Sequence, residues 1–152
     1  MWDLKIVAGR ILARKSIEPD ARVWVFVTER MADLDGWAVA DNLAPAASRC
    51  LLAEPGRLDT VEAWIESPHL WTRRAALVFT LPWTKGERDP ERMLGWAARL
   101  AEDPEWFIQK AIGWQLRELS KRDPKRVRRF LMEHGEKLKG VARREAMKYL
   151  NA

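Results

Sequence analysis

Two segments of this chain repeat each other at a distance of 36 residues. Ser67-Pro68, Arg73-Arg74-Ala75-Ala76 and Val78 are answered by Asp103-Pro104, Gln109-Lys110-Ala111-Ile112 and Trp114. A fainter echo, Arg144-Glu145-Ala146, follows Gln109-Lys110-Ala111 by 35 residues. A unit of this size, with a helix start, a polar pair and then small and apolar residues, cannot bury its apolar face alone and must stack on its neighbours. The expected fold is therefore all-α, an α-solenoid of two-helix repeats with an extended concave surface. The 152 residues are expected to form a single repeat domain, 1–152.

The middle unit carries the clearest pattern. Ile108, Ile112, Leu116 and Leu119 recur at helical spacing and predict a buried stripe. Lys110, Trp114, Arg117 and Lys121 recur on another side, giving a basic face with an aromatic ring set into it. Asp103-Pro104 predicts the helix start, with the aspartate as N-cap and the proline in the first turn. Asp89-Pro90 and Asp123-Pro124 predict two more starts, the second helix ending near Gly135.

Other segments follow the same logic. Residues 2–14 read as a helix with Trp2, Ile6, Val7 and Ile11 on its apolar side. Val23-Trp24-Val25-Phe26-Val27 has strand propensity, but Pro19 before it and Glu29-Arg30 after it extend a helical frame, and a helix is expected. Asp33-Leu34-Asp35-Gly36 predicts a turn, and Trp37 opens a helix that Pro45 should kink or restart. A helix over 58–66 capped near Asp59, its partner over 69–81, a loop over 82–88 and a last helix over 141–150 complete the reading.

Composition narrows the function. No apolar run approaches the about 18 residues of a membrane span, and the first residues lack the cationic and apolar blocks of a secretory signal. Cys50 is the single cysteine, so no internal disulfide forms, and a reducing cytoplasm is expected. A net charge of +5 favours an anionic partner such as nucleic acid. His69 and His134 have no companions at ligand spacing, and no glycine-rich loop follows a strand, so neither a metal nor a cofactor is expected.

Several residues admit two readings. Trp37 and Asp41 stand at i, i+4, either as a ring and a carboxylate presented together or as a core Trp beside a solvated Asp, which spacing alone favours. Arg73 and Arg74 form a phosphate clamp or a pair of rim charges. Trp114 is a core ring or a stacking platform among Lys110, Arg117 and Lys121. Cys50 reads as a buried small residue, and Trp24, Trp64, Trp71, Trp83, Trp96 and Trp106 as packing residues.

These residues carry a family resemblance. Trp37-x-x-x-Asp41 with Leu43-Ala44-Pro45, then Trp71-Thr72-Arg73-Arg74-Ala75-Ala76, resemble the bacterial DNA alkylation repair proteins, alkylpurine DNA glycosylases built from HEAT-like repeats. The match continues through Asp103-Pro104-Glu105-Trp106-Phe107-Ile108-Gln109-Lys110-Ala111-Ile112-Gly113-Trp114 and Leu116-Arg117-Glu118 to Arg144-Glu145-Ala146. The resemblance implies excision of N3- and N7-alkylated purines from duplex DNA. It makes Asp41 the catalytic carboxylate, Trp37 and Trp114 aromatic walls against the lesion's deoxyribose, and Arg74 a holder of backbone phosphate. The family does not need to flip the base into a pocket. This chain departs from the pattern in having Ala38 where an acidic residue is common, and in beginning where family members are already inside a mid-chain helix. An uncapped apolar face at Trp2, Ile6, Val7 and Ile11 would then invite self-association. A DNA-binding module without turnover and a protein-binding helical scaffold are the alternative functions.

Overall fold

The computed structural model describes residues 2–150, apart from the side chain of Trp2. Among the described residues there are ten α-helices and no strand: α1 (Trp2–Leu12), α2 (Ala21–Glu29), α3 (Trp37–Ala53), α4 (Leu58–Ala63), α5 (Leu70–Val78), α6 (Leu81–Lys85), α7 (Glu91–Arg99), α8 (Trp106–Ser120), α9 (Pro124–His134) and α10 (Gly140–Met147). The chain folds as two compact units, one ending at Phe79 and one beginning at Thr80. No described helix is long and apolar enough to cross a membrane.

In the first unit α3 is the central helix, packed on α1, α2 and α5. Its approach to α1 is close because Gly9 lacks a side chain: a Cβ there would lie 2.7 Å from the main-chain oxygen of Asn42. The β-branched run of α2 is helical as expected. The Asp20 carboxylate caps it, accepting from the main-chain nitrogens of Arg22 and Val23. Burying Val23, Trp24 and Val27 on one side then outweighs their strand preference. Trp24 stacks on Trp64, which meets Phe79 edge-on.

α3 does not restart at Pro45, one of the two expected outcomes, but runs unbroken through it. The ring points to solvent, while Leu43, Ala44, Ala46 and Ala47 on either side of it are buried. Their packing offsets the about 3 kcal/mol that an internal proline costs. The expected cap at Asp59 is also absent: Asp59 lies inside the first turn of α4, and the helix tightens to a 3₁₀ turn over Trp64–Glu66.

In the second unit α8 packs on α6, α9 and α10. Ile108, Ile112, Leu116 and Leu119 are fully buried, as the stripe predicted. Asp123 caps α9 by accepting from the nitrogen of Arg126, with Pro124 in the first turn. Two details differ from the sequence reading. The expected loop after Leu81 contains α6, where Pro82 sits in the first turn and needs no donor. The start at Asp103 is two residues early: its carboxylate accepts from Glu105 N, and α8 opens at Trp106. Ser67 does the same with His69 N before α5, so the 36-residue repeat is preserved down to its turn chemistry.

Candidate functional site

The first unit brings Trp37, Asp41 and Arg74 to one region. The turn before α3 is pinned by Lys5, whose ammonium donates to the main-chain oxygen of Asp33 and to the Asp35 carboxylate. Arg10 of α1 donates to Asn42 Oδ1, fixing the helix one residue beyond Asp41. Val39 and Ala40 face the core, which turns Trp37 and Asp41 outward. Trp37 is 55 % exposed, so it is no core residue.

Arg74 of α5 is buried at 4 % exposure, and its Nη1 donates to Asp41 Oδ1 at 2.6 Å. Among the described contacts Oδ2 of Asp41 accepts no hydrogen bond, and the carboxylate is 28 % exposed. One oxygen is thus anchored by Arg74 while the other keeps its acceptor capacity within a partly exposed carboxylate. Pro45, four residues on, has no N–H to give to the main-chain carbonyl of Asp41. Side chain and backbone together leave acceptor oxygens, one of them paired with Arg74, one helical turn from an exposed indole. The arrangement suits a cation, or a reaction centre that becomes one. Arg73 differs from its neighbour, since its Nη1 donates to the carbonyls of Ser67 and Pro68 and secures the turn into α5.

The second unit carries the predicted basic stripe, with a partner that the sequence reading did not name. Glu145 of α10 is clasped by Lys110 at 2.6 Å and Arg117 at 2.5 Å, one to each carboxylate oxygen. The Lys110 hydrogen bond chiefly holds the Glu145 carboxyl below its usual range, against the opposing effect of burial. Lys121 reaches Glu118 at 3.0 Å. Trp114 is half-buried on the same helix. Gly113 permits the clasp, because a Cβ there would lie 2.6 Å from Glu145 Cβ.

A signal for these pairs was present in the repeat. Asp41, Arg74, Lys110 and Glu145 occupy one repeat position in succession, at separations of 33, 36 and 35 residues. Opposite charges one repeat apart meet within each unit, Asp41 with Arg74 and Lys110 with Glu145. The same register makes Trp106-x-x-x-Lys110 the counterpart of Trp37-x-x-x-Asp41. Trp106 is 53 % exposed, with Lys110 Nζ 5.8 Å from its ring, and so is not the packing residue it was expected to be. Trp24, Trp64, Trp83 and Trp96 are buried as expected. Cys50 is fully buried too, and burial pushes its thiol pKa up.

The profile of the DNA alkylation repair enzyme family matches residues 1–150. The chain belongs to that family. Three solved structures share its fold. A protein of Enterococcus faecalis described as a predicted DNA alkylation repair enzyme is 25 % identical with a TM-score of 0.77, over 95 % of this chain and 66 % of the other. AlkD2 of Streptococcus mutans is 24 % identical, TM-score 0.75, over 99 % and 75 %. The protein smu.31 of Streptococcus mutans UA159 is 23 % identical, TM-score 0.76, over 98 % and 77 %. This DNA alkylation repair family member thus spans about two thirds to three quarters of the length of those chains. No curated protein is a significant match to it. Family membership makes DNA the expected partner.

Proposed function

We propose that this DNA alkylation repair family member excises cationic N3- and N7-alkylated purines from duplex DNA by hydrolysing the N-glycosidic bond. The observation that carries this reading is Asp41, held by Arg74 through one oxygen, without a hydrogen-bond partner at the other among the described contacts, and preceded one turn earlier on α3 by the exposed Trp37. An alkylated purine bears a positive charge and leaves as a neutral base, so no general acid is required. Breaking the C1′–N bond moves the positive charge onto the sugar as an oxocarbenium ion. Asp41 stabilises that cation and orients a water molecule, whose oxygen bonds to C1′ while its proton is lost to the carboxylate or solvent. The indole face of Trp37 favours the same cation. Trp114 is assigned the second aromatic wall on the strength of the resemblance.

The burial of Arg74 supports a role in orienting Asp41 more directly than one in holding phosphate. Arg73, Lys110, Arg117 and Lys121 are proposed as backbone contacts. A phosphate would there compete with Glu145 for Lys110 and Arg117. Exposed Leu4, Val7 and Ile11 on α1 support self-association through that face. The bacterial cytosol, where the DNA lies, is the proposed location. A DNA-binding module without turnover is the second reading, since the basic stripe would serve binding with or without chemistry.

The deciding experiment is single-turnover release of 7-methylguanine from alkylated duplex DNA. Wild type should release the base, and Asp41→Asn should lose at least about a hundredfold in rate, the scale of removing one preorganised electrostatic group. Equal release by both proteins refutes the role of Asp41. Binding without release by wild type establishes the second reading.

A further inference from the structure

The charge of this chain is unevenly placed. Residues 121–152 hold eleven Lys and Arg against four Asp and Glu, a net +7, while residues 1–120 hold sixteen against eighteen, a net −2. Such asymmetry marks a segment selected for an anionic partner.

The cations of this segment differ in what already holds them. Arg122 donates to the carbonyls of Trp83, Thr84 and Arg88, Arg126 grips Glu91 with two hydrogen bonds, and Arg128 reaches the carbonyl of Leu150. Lys121 is spent on Glu118. Further along, Lys137, Lys139, Arg143, Arg144 and Lys148 are all exposed, and no carboxylate lies in ion-pair contact with any of them among the described residues, although Arg143 makes a long hydrogen bond of 3.5 Å to the carbonyl of Gly135 and Lys148 stands 5.8 Å from the Tyr149 ring. The single acidic residue within 137–148 is Glu145. Lys110 and Arg117 of α8 already clasp it, and Lys148 adds only a longer-range attraction.

Arg143, Arg144 and Lys148 line one shallow, open depression with Gly140 and Met147. Gly140 and Arg144, then Arg144 and Lys148, are four apart on α10, so the guanidinium and ammonium groups lie along one face. The Arg144 guanidinium folds over Gly140, its Nη1 2.9 Å from where a Cβ would stand. The surface is open, cationic and without a carboxylate of its own. It fits a line of phosphates and not a closed pocket for a small ligand.

We infer that Arg143, Arg144 and Lys148 of α10 form a phosphate-holding surface that anchors the DNA backbone independently of Asp41. The inference rests on DNA being the partner, but not on the glycosylase reaction. These residues hold the duplex through charge and carry no sequence information, so they govern affinity and its salt dependence and leave the chemical step alone. Each cation that neutralises a phosphate adds about one to the slope of log K against log salt.

The test is binding of unmodified duplex DNA from about 50 to 200 mM salt, the usual range for reading that slope. Wild type is compared with the triple variant Arg143→Ala, Arg144→Ala, Lys148→Ala and with Arg143→Lys, Arg144→Lys, each checked for unchanged helicity and melting. The triple alanine variant should lower the slope by about 3 and weaken binding at least tenfold at low salt. The lysine variant, which keeps the charge, should retain the wild-type slope. Single-turnover base release at saturating protein should not change in either. An unaltered slope in the triple variant overturns the inference, as does wild type that binds no duplex DNA or binds it without salt dependence. Wild type that releases no base, with the slope still falling in the triple variant, refutes the glycosylase reading and leaves this one standing.

Discussion

Replacing Gly113 by alanine sets helix propensity against helix packing at one position. Gly113 lies in the interior of α8, where alanine is favoured by about 1 kcal/mol on backbone grounds. The added Cβ, however, would stand 2.6 Å from Glu145 Cβ, 3.1 Å from the carbonyl oxygen of Ala142 and 3.2 Å from its Cα. Carbon atoms pack best at about 3.5–4.0 Å, so α10 must retreat by about 1 Å. None of the three obstructing atoms is the end of a flexible side chain, and Ala142 and Ala146 hold α10 in the core. Overpacking of this kind costs about 2–3 kcal/mol, which leaves a net loss of about 1–2 kcal/mol. The same retreat draws the Glu145 carboxylate from Lys110 and Arg117. Gly95 supplies the control: it is exposed in the interior of α7, and a Cβ there meets nothing within 4 Å. Gly95→Ala should therefore stabilise by about 0.5–1 kcal/mol. Thermal melting of the three proteins side by side reads both signs, at about 2–4 °C per kcal/mol for a chain of this size. Gly113→Ala melting at or above wild type would refute the reasoning, whatever Gly95→Ala does.

Two further predictions stand beside the loss of base release in Asp41→Asn and the fall in salt slope on α10. The Glu145 carboxyl is held below the usual 4.5 of a glutamate, chiefly by Lys110, so its stabilising effect is present above about pH 4.5 and lost as pH falls through the lower folded value. Glu145→Gln should thus narrow its stability gap to wild type on acidification below pH 4.5, in melts taken across that range, and a gap that stays constant would show the clasp to be unimportant. Trp37 and Trp106 are the Trp residues more than half exposed among those described, so they should dominate acrylamide quenching of the native protein. Made in a Trp2→Phe background, Trp37→Phe with Trp106→Phe should remove most of the quenchable emission, whereas an unchanged quenching curve would contradict their exposure.

What the amino-acid sequence determined by itself is the part of the protein that depends on near neighbours. The stripe of Ile108, Ile112, Leu116 and Leu119, the Asp123-Pro124 start and the recurrence of the Ser67 and Asp103 turns follow from spacing and local hydrogen bonding. The family, too, was legible, because its identifying stretch is nearly continuous over α8. Spacing also placed Trp37 and Asp41 on one face, but favoured the wrong surroundings for the ring, since periodicity cannot say which flank of a helix finds a neighbour. The helix through Pro45, the short α6 and the exposure of Trp106 were settled in the same way, by what each element packs against. The charge partners came only with the tertiary structure. Asp41 and Arg74 are 33 residues apart, and Lys110 and Glu145 are 35 apart, so each pair exists only once two repeats have stacked. That stacking turns one carboxylate into an anchored group with an open oxygen and another into the clasp of two cations, because an ion pair is decided by distances of a few ångströms that sequence separation does not encode.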